Sequence, residues 1–325
     1  MSVGGKASPI RVAVVGTGHF GQYHAKHYAA NPRAELVAVV DSNRDVAEAI
    51  ARTHGCAALY DHRDLAGRVD AVSIVVPTSL HFEVARDLQK LGIDTLVEKP
   101  LTDTVDSAEA LMRLAEERDL ILQVGHIERF SSCFRALTTK VDRPLYFESN
   151  RIAPWKERNL DVDVIFDLMI HDIDIILGLA RSPVTGVSAV GTRLFSDKVD
   201  LANARLTFAS GSVANITASR VSHKVERNLR VFQPSGYLVC DFVSHRIFTY
   251  SMKGEPGKVG LDAIDSQIIE VPREDSLANE IDSFLTCVCD RTRPTVDGRA
   301  GFEAVRIAEQ INDSIAAHLA AARLP

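Results

Sequence analysis

Between Ile10 and Val124 the chain repeats one pattern, a short strand-like apolar run followed by a segment with helical periodicity. The runs are Arg11–Val15, Ala34–Val40, Ala71–Val76, Thr95–Val97 and Leu120–Val124, and the helical segments lie near His19–Ala30, Arg44–Thr53, His81–Leu91 and Thr104–Arg118. Strands this short and this continuously apolar belong in a parallel sheet covered by helices on both faces. Residues 1–125 are therefore expected to form a doubly wound α/β domain of Rossmann type.

After Gly125 the rhythm changes. One apolar helix, roughly Asp163–Ala180, precedes runs of strand type at Val184–Arg193, Leu201–Phe208, Ser212–Ser219, Val225–Phe232 and Tyr237–Asp241. Turn signals such as "ASGS" and "QPSG" separate some of them. Helices near Ser276–Asp290 and Arg299–Ala321 follow, and the loop "KGEPGK" (Lys253–Lys258) reads as a solvent-exposed turn. Residues 126–325 are thus expected to be an α+β domain with a large, mostly antiparallel open sheet.

The bulk numbers narrow the function classes. A chain of 325 residues with 46% hydrophobic and 25% charged residues can build two cores. A formal net charge of −6 gives no general reason to bind nucleic acid or an anionic membrane. The cysteines (Cys56, Cys133, Cys240, Cys287, Cys289) include no CxxC and no Cys/His spacing that suggests a metal, so reduced thiols and no metal are expected. No apolar run approaches the ~20 residues needed to span a bilayer. The first residues, Met1–Pro9, lack the apolar core of a signal peptide, and the expected compartment is the cytoplasm.

"RVAVVGTGHFGQYH" sets Gly16, Gly18 and Gly21 directly after the first strand. Glycines at this spacing allow a tight turn, a close approach of backbone to a pyrophosphate, and close packing of helix on strand. The helix N-terminus then faces the negative charge, with His19 and Phe20 in the same loop. The second strand ends in Asp41, 20 residues beyond Gly21, where an acid accepts from a ribose 2′-hydroxyl and repels a 2′-phosphate. NAD is favoured over NADP, while Arg44, three residues on, keeps NADP open. Pro77, Thr78 and His81 follow the next expected strand, and Glu98 and Lys99 the one after it. Both loops lie at carboxyl ends of strands, where an open α/β sheet meets the nicotinamide end of its cofactor. In "TLVEKPL" the proline restricts the residue before it, so Lys99 is held in one direction.

In "DVDVIFDLMIHDIDIILGLA" the residues Asp163, Asp167, His171 and Asp174 recur at spacings of four, four and three and share one helix face. An acid beside His171 stabilises its protonated form and makes it a better proton acceptor. Asp163 near the helix start reads as a cap and Asp174 as solvated, while Asp172 points away from His171 and serves structure or substrate. Arg129, Arg151, Lys156, Arg158 and Arg193 lie in the second half, where arginine can pair bidentately with phosphate. Trp155, beside Lys156 and Arg158, is a candidate to stack on a sugar or on nicotinamide, with Arg158 near the cofactor as well.

Together, "GTGHFGQYH", "VVPTSLH", "EKPL" and "DLMIHDID" resemble the Gfo/Idh/MocA oxidoreductase family over nearly the whole chain. The resemblance implies a Rossmann domain joined to a mixed α/β domain whose open sheet often forms the oligomer interface, hence a homodimer or homotetramer. It also implies that Lys99, His171 and Asp167 are catalytic. Many relatives carry a glycine pair before the acid and a GxH at the histidine, whereas this chain reads "VDVIFDLMIH". "QVGHIERF" and "DLMIHDIDIIL" are more similar to the branch that oxidises the 3-hydroxyl of UDP-N-acetylglucosamine for 2,3-diamino sugar and lipid A synthesis. The alternatives are a dehydrogenase of a free polyol or cyclic sugar, and a non-catalytic NAD-binding regulator.

Overall fold

A computed structural model of the chain describes residues 8–155, 162–252 and 264–322. It divides into two compact units, Met1–Ile127 with Asp275–Glu303 and Glu128–Glu274 with Ala304–Pro325. The first unit runs β1 (Ile10–Val15), α1 (Gly21–Ala30), β2 (Ala34–Val40), α2 (Arg44–His54), β3 (Ala57–Leu59), β4 (Ala71–Ile74), α3 (Thr78–Lys90), β5 (Asp94–Glu98), α4 (Val105–Glu117) and β6 (Leu122–Gly125). Its strands pair in parallel in the order β3-β2-β1-β4-β5-β6. The order reverses between β1 and β4, and an open sheet forms its ligand crevice beyond the carboxyl ends of strands at such a point. Helix ends follow local chemistry: Asn43 and Thr104 cap α2 and α4, and Gly55, at φ 70°, ends α2 in the left-handed conformation.

The second unit contributes α5 (Ser132–Thr138), β7 (Tyr146–Ile152), α6 (Ile170–Ala180), β8 (Val184–Thr192), β9 (Leu201–Phe208), β10 (Val213–Ser219), β11 (Glu226–Gln233), β12 (Gly236–Asp241), β13 (Arg246–Met252) and β14 (Ile264–Glu270). They form one eight-stranded sheet in the order β14-β13-β12-β11-β7-β10-β9-β8, antiparallel except for the β7–β10 pair. On β9 and β10 alternate residues are buried, Ala202, Ala204, Leu206 and Phe208 facing the same way as Ala214, Ile216 and Ala218. α6 packs against β7 and β10. The later part of α8 (Gly298–Ala322) packs on β8, where Ser314 Oγ accepts the Ala189 N–H at 2.8 Å.

Several elements depart from the sequence reading. The central strand β7 is missing from it because the buried positions are Phe147, Ser149 and Arg151, only one of them apolar. Helix α7 (Ser276–Asp290), expected in the second domain, packs in the first unit instead. Its stripe Leu277, Ile281, Phe284, Leu285 and Val288 joins the core around Val12, Val14, Tyr28 and Leu96. A helical stripe states that a helix is buried and leaves open which sheet it covers. The loop Lys253–Lys258 lies outside the described residues. No described helix is long and apolar enough to cross a membrane.

Arg151 carries charge into the second unit's interior. Its Nε donates to Asp172 Oδ2 at 2.7 Å and its Nη1 to Glu128 Oε1 at 3.1 Å, with the arginine and Asp172 side chains both only 3% exposed. Removing one member of such a cluster strands the other charge. Arg151→Met is expected to cost about 3–5 kcal/mol of stability, read by denaturant unfolding; a loss within the ±0.5 kcal/mol typical of surface substitutions would refute the buried pairing.

Candidate active site

In the first unit the three glycines of the β1–α1 loop have separate physical reasons. Gly16 has φ +89°, and a Cβ there would lie 2.5 Å from the Val75 carbonyl oxygen. A Cβ on Gly21 would overlap the carbonyl of Gly16, so this residue lets α1 start against the turn. Gly18 differs, since its Cβ would meet nothing within 4 Å. Folding does not demand glycine there, and the bare backbone fits the close approach of a pyrophosphate. The first turn of α1 has no side-chain cap and no acidic residue, so the positive end of the helix is not offset locally, although the Gln22 and Tyr23 N–H groups donate to the Gly18 and Phe20 carbonyls at 3.2 and 3.0 Å. His19 and Phe20 are exposed in the same loop.

Asp41 ends the neighbouring strand. Its Oδ2 accepts the Thr17 N–H at 2.8 Å and the Thr17 hydroxyl at 3.0 Å, while Oδ1 accepts the Asn43 N–H at 2.9 Å. The carboxylate is thereby fixed beside the glycine loop, half-buried, by uncharged donors. Arg44 is exposed, with its guanidinium carbon 4.0 Å from the Tyr60 ring centroid. These residues fit the adenosine ribose and pyrophosphate of a dinucleotide.

The two loops after β4 and β5 are tied together by a buried histidine. His81 Nδ1 lies 2.8 Å from the Pro100 carbonyl and Nε2 2.9 Å from that of Val76. Burial holds this imidazole's pKa below its ordinary value, so the neutral ring donates to one carbonyl at a time. At 1% exposure His81, a candidate cofactor residue from sequence, is buried with both ring nitrogens on backbone carbonyls and ties the two loops together. Pro77 and Thr78 lie on the loop's outer side, Pro77 exposed and Thr78 half-buried as the first residue of α3. Lys99 is half-buried, between buried Glu98 and buried Pro100, and its N–H donates to Glu98 Oε2 at 3.3 Å.

In the second unit the polar stripe is sorted by partner. Asp163 accepts the N–H groups of Ile165 and Phe166 at 2.9 and 3.0 Å, the capping role expected of it, and takes the Asn312 amide at 2.7 Å. Asp174 is buried with Arg129 Nη1 at 3.1 Å, and so is not the solvated residue expected. Asp172 is the buried partner of Arg151. Arg129 and Arg151, expected to meet a substrate diphosphate, are thus engaged in neutralising carboxylates of α6. Asp167 and His171 keep partial exposure. Asp167 sits in a π-turn, Ile165–Met169, just before α6; such turns re-aim side chains and recur at functional sites. Trp155 packs edge-on to Phe195 at 5.6 Å, with Arg220 over its ring. Lys156 and Arg158 lie outside the described residues, and Arg193 is exposed.

Residues 10–126 match the oxidoreductase family described as an NAD-binding Rossmann fold, and residues 125–239 match the GFO/IDH/MocA C-terminal domain. The chain belongs to the Gfo/Idh/MocA oxidoreductase family. It is 38% identical over 311 residues to UDP-N-acetylglucosamine 3-dehydrogenase of Acidithiobacillus ferrooxidans, covering 95% of this chain and 98% of that protein. A solved structure of the enzyme of that name and organism superposes with a TM-score of 0.90 at 37% identity, over 96% of this chain and 99% of the other. The chain is also 34% identical over 233 residues to scyllo-inositol 2-dehydrogenase (NAD(+)) of Bacillus subtilis, covering 66% of this chain and 68% of the relative.

Sequence reasoning passed over Thr17, which fixes Asp41, and a buried carboxyl on α7, Glu280. A signal for the latter was available, because Glu280 stands within the stripe formed by Leu277, Ile281 and Phe284. The glycines separate fold from ligand. Gly21→Ala is expected to destabilise the protein outright, while Gly18→Ala should melt like wild type and bind NAD about 10–100-fold more weakly, the effect of roughly 1–3 kcal/mol of overpacking. Thermal melts beside NAD titration distinguish the two.

Proposed function

We propose that this chain oxidises the 3-hydroxyl of UDP-N-acetylglucosamine to the 3-keto sugar with NAD. The observation that carries this reading is the likeness to UDP-N-acetylglucosamine 3-dehydrogenase along 95% of the chain. When bound, NAD accepts a hydride at the nicotinamide C4. His171 takes the hydroxyl proton as general base, with Asp167 one helical step before it orienting the ring and favouring its protonated form. Lys99 donates a hydrogen bond to the oxygen as negative charge develops on it. Hydride and proton leave the same carbinol, so the product is a ketone and no other co-reactant is needed.

Asp41 and the loop from Gly16 to Gly21 hold the adenosine and pyrophosphate end, with the Pro77–Thr78 and Glu98–Lys99 loops at the nicotinamide end. Residues of the second unit hold the sugar. With Arg129 and Arg151 engaged by Asp174 and Asp172, the sugar diphosphate falls to Arg193, Lys156 and Arg158. Trp155 offers a face for stacking. A 3-keto nucleotide sugar is the form an aminotransferase requires to install a 3-amino group, which supports a role in 2,3-diamino sugar and lipid A synthesis, and the compartment proposed for it is the cytoplasm.

The enzyme is a homodimer or homotetramer joined through the sheet of the second unit. Half-buried Tyr146, Phe232, Tyr237 and Tyr250 form a ladder across four neighbouring strands, with centroid separations of 5.5, 5.3 and 4.4 Å. Ile264 and Ile268 on β14 are 48% and 63% exposed. An apolar surface of this kind supports burial against another subunit.

The test is NAD reduction by absorbance with UDP-N-acetylglucosamine, scyllo-inositol, myo-inositol and glucose offered separately, a trap for the keto product being present. Turnover of the nucleotide sugar alone is expected. Efficient turnover of a free inositol would move the assignment to a polyol dehydrogenase, and tight NAD binding without any turnover would favour a regulator. Lys99→Ala and His171→Ala are each expected to lower kcat about 10²–10⁴-fold, the usual range for proton-transfer groups, with NAD affinity nearly unchanged. Equal losses of binding and turnover would remove both residues from the chemistry.

A further inference from the structure

The first unit buries a carboxyl group that the reaction above does not use. Glu280 on α7 is fully buried, and neither of its carboxyl oxygens has a hydrogen-bond partner. A polar atom of Glu280, one of Glu98 and a ring nitrogen of His24 on α1 all lie within 4.8 Å of one another. His24, itself fully buried, places Nε2 3.2 Å from Glu98 Oε1, and the other Glu98 oxygen accepts the Lys99 N–H at 3.3 Å. β6 closes the other side, where a Cβ on Gly125 would come within 2.7 Å of Glu98 Oε1.

The groups facing Glu280 are His24 and Tyr28 from α1, Glu98 from β5 and Gln123 from β6. Tyr28 is engaged with Ser73 at 2.7 Å, and Gln123 donates to the backbone carbonyl of Glu280 at 3.0 Å, not to its carboxyl. Two carboxylates this close in a dry site do not both ionise. Glu98 lies 3.2 Å from His24 Nε2, accepts the Lys99 amide and retains 9% exposure, while neither Glu280 oxygen has a hydrogen-bond partner, so the geometry points to Glu280 as the one that holds the proton.

We propose that Glu280 is a neutral, protonated acid in the working enzyme, and that with His24 it forms a positioning unit confining the pair's charge to Glu98, which in turn orients Lys99. The proposal rests on the reading of Lys99 as the residue that stabilises the alkoxide. Burial and the charge of Glu98 raise the Glu280 pKa well above its ordinary 4.5. Losing that proton would set two like charges side by side and push Glu98 from its place under the Lys99 amide. A divalent cation shared by the three side chains is the competing chemistry. The direct His24–Glu98 hydrogen bond favours the proton.

The folded state holds a proton on Glu280 that the unfolded chain releases above the ordinary glutamate pKa. Stability therefore falls as pH rises from that value to the raised one, and is level beyond it. Infrared difference spectra of wild type against Glu280→Gln read the proton directly. A protonated-carboxyl stretch is expected in wild type at neutral pH, shifted in D2O, fading at alkaline pH and absent from the variant. Wild type should lose melting temperature relative to Glu280→Gln over the same pH range. Turnover should fall through kcat, with KM for NAD steady, at the pH where the band fades, and Glu280→Gln should displace that fall upward. Glu98→Gln should lower kcat with NAD affinity retained.

A spectrum lacking the band at neutral pH would overturn the proposal, and so would a stoichiometric divalent cation in wild type that the variant loses. An alkaline limb of kcat identical in both proteins would overturn the positioning role. The infrared and melting measurements need no sugar substrate and use the wild-type protein's own titration. They therefore stand or fall apart from the substrate assignment.

Discussion

A buried charge must find its counter-charge, and the second unit is arranged around that requirement. Helix α6 is apolar on nearly every side, yet it carries Asp172 and Asp174 into the interior. Arg151 on β7 and Arg129 ahead of α5 meet them there. Ion pairs of this kind seldom add net stability over well-packed apolar residues, since desolvation offsets the attraction. What they supply here is register. Apolar contacts on nearly every side of α6 distinguish its faces less sharply than a directional bond does, and the Arg151–Asp172 pair fits one rotation. That rotation, with the π-turn before α6, leaves Asp167 and His171 half-buried while neighbouring residues are sealed in.

The first unit uses close backbone approach for the same purpose. The Gly16 turn against Val75 and the start of α1 against Gly16 leave no room for side chains, so the strand-to-helix turn is determined by contact. Thr17 then locks Asp41 to that turn. At the other end of the crevice the chain on both sides of Lys99 is gripped, by Glu98 at the lysine's own amide and by His81 at the carbonyl of Pro100. The lysine side chain keeps partial exposure while its backbone is held, which is the arrangement preorganised electrostatic stabilisation requires.

Legibility from sequence tracked how each constraint is written. The Rossmann strands could be read because each is apolar throughout, and the glycine roles because the spacing of Gly16, Gly18 and Gly21 is itself the geometric requirement. β7 was hidden because Ser149 and Arg151 occupy inward positions, an arrangement that makes sense only once Asp172 and Glu128 are in place across from it. The arginines were legible as charges and illegible as partners: nothing local tells Arg151, buried on a carboxylate, from Arg193, exposed in a loop. α7 was found as a helix and assigned to the wrong core, because its apolar stripe carries no address. Glu280 within that stripe was the visible sign of a buried group with a purpose other than packing.

Charge at the end of β2 bears on the choice of dinucleotide. Asp41 is held there by the Thr17 and Asn43 donors, which are uncharged, so its negative charge is fixed in position without a cation of its own among these bonds. A 2′-phosphate would have to approach that charge, while a 2′-hydroxyl can donate to the lone pairs that remain. Arg44 would be the residue to reverse this preference, and its guanidinium is instead laid over Tyr60 at 4.0 Å. Stacking of this kind is worth about 0.5–1 kcal/mol at an exposed site, less than the roughly 1.5–3 kcal/mol of a charged hydrogen bond, so a phosphate could draw Arg44 away only by also overcoming repulsion from Asp41. A carboxylate fixed in this position agrees with the NAD-binding character of the Rossmann domain, and the stacked arginine does not oppose it.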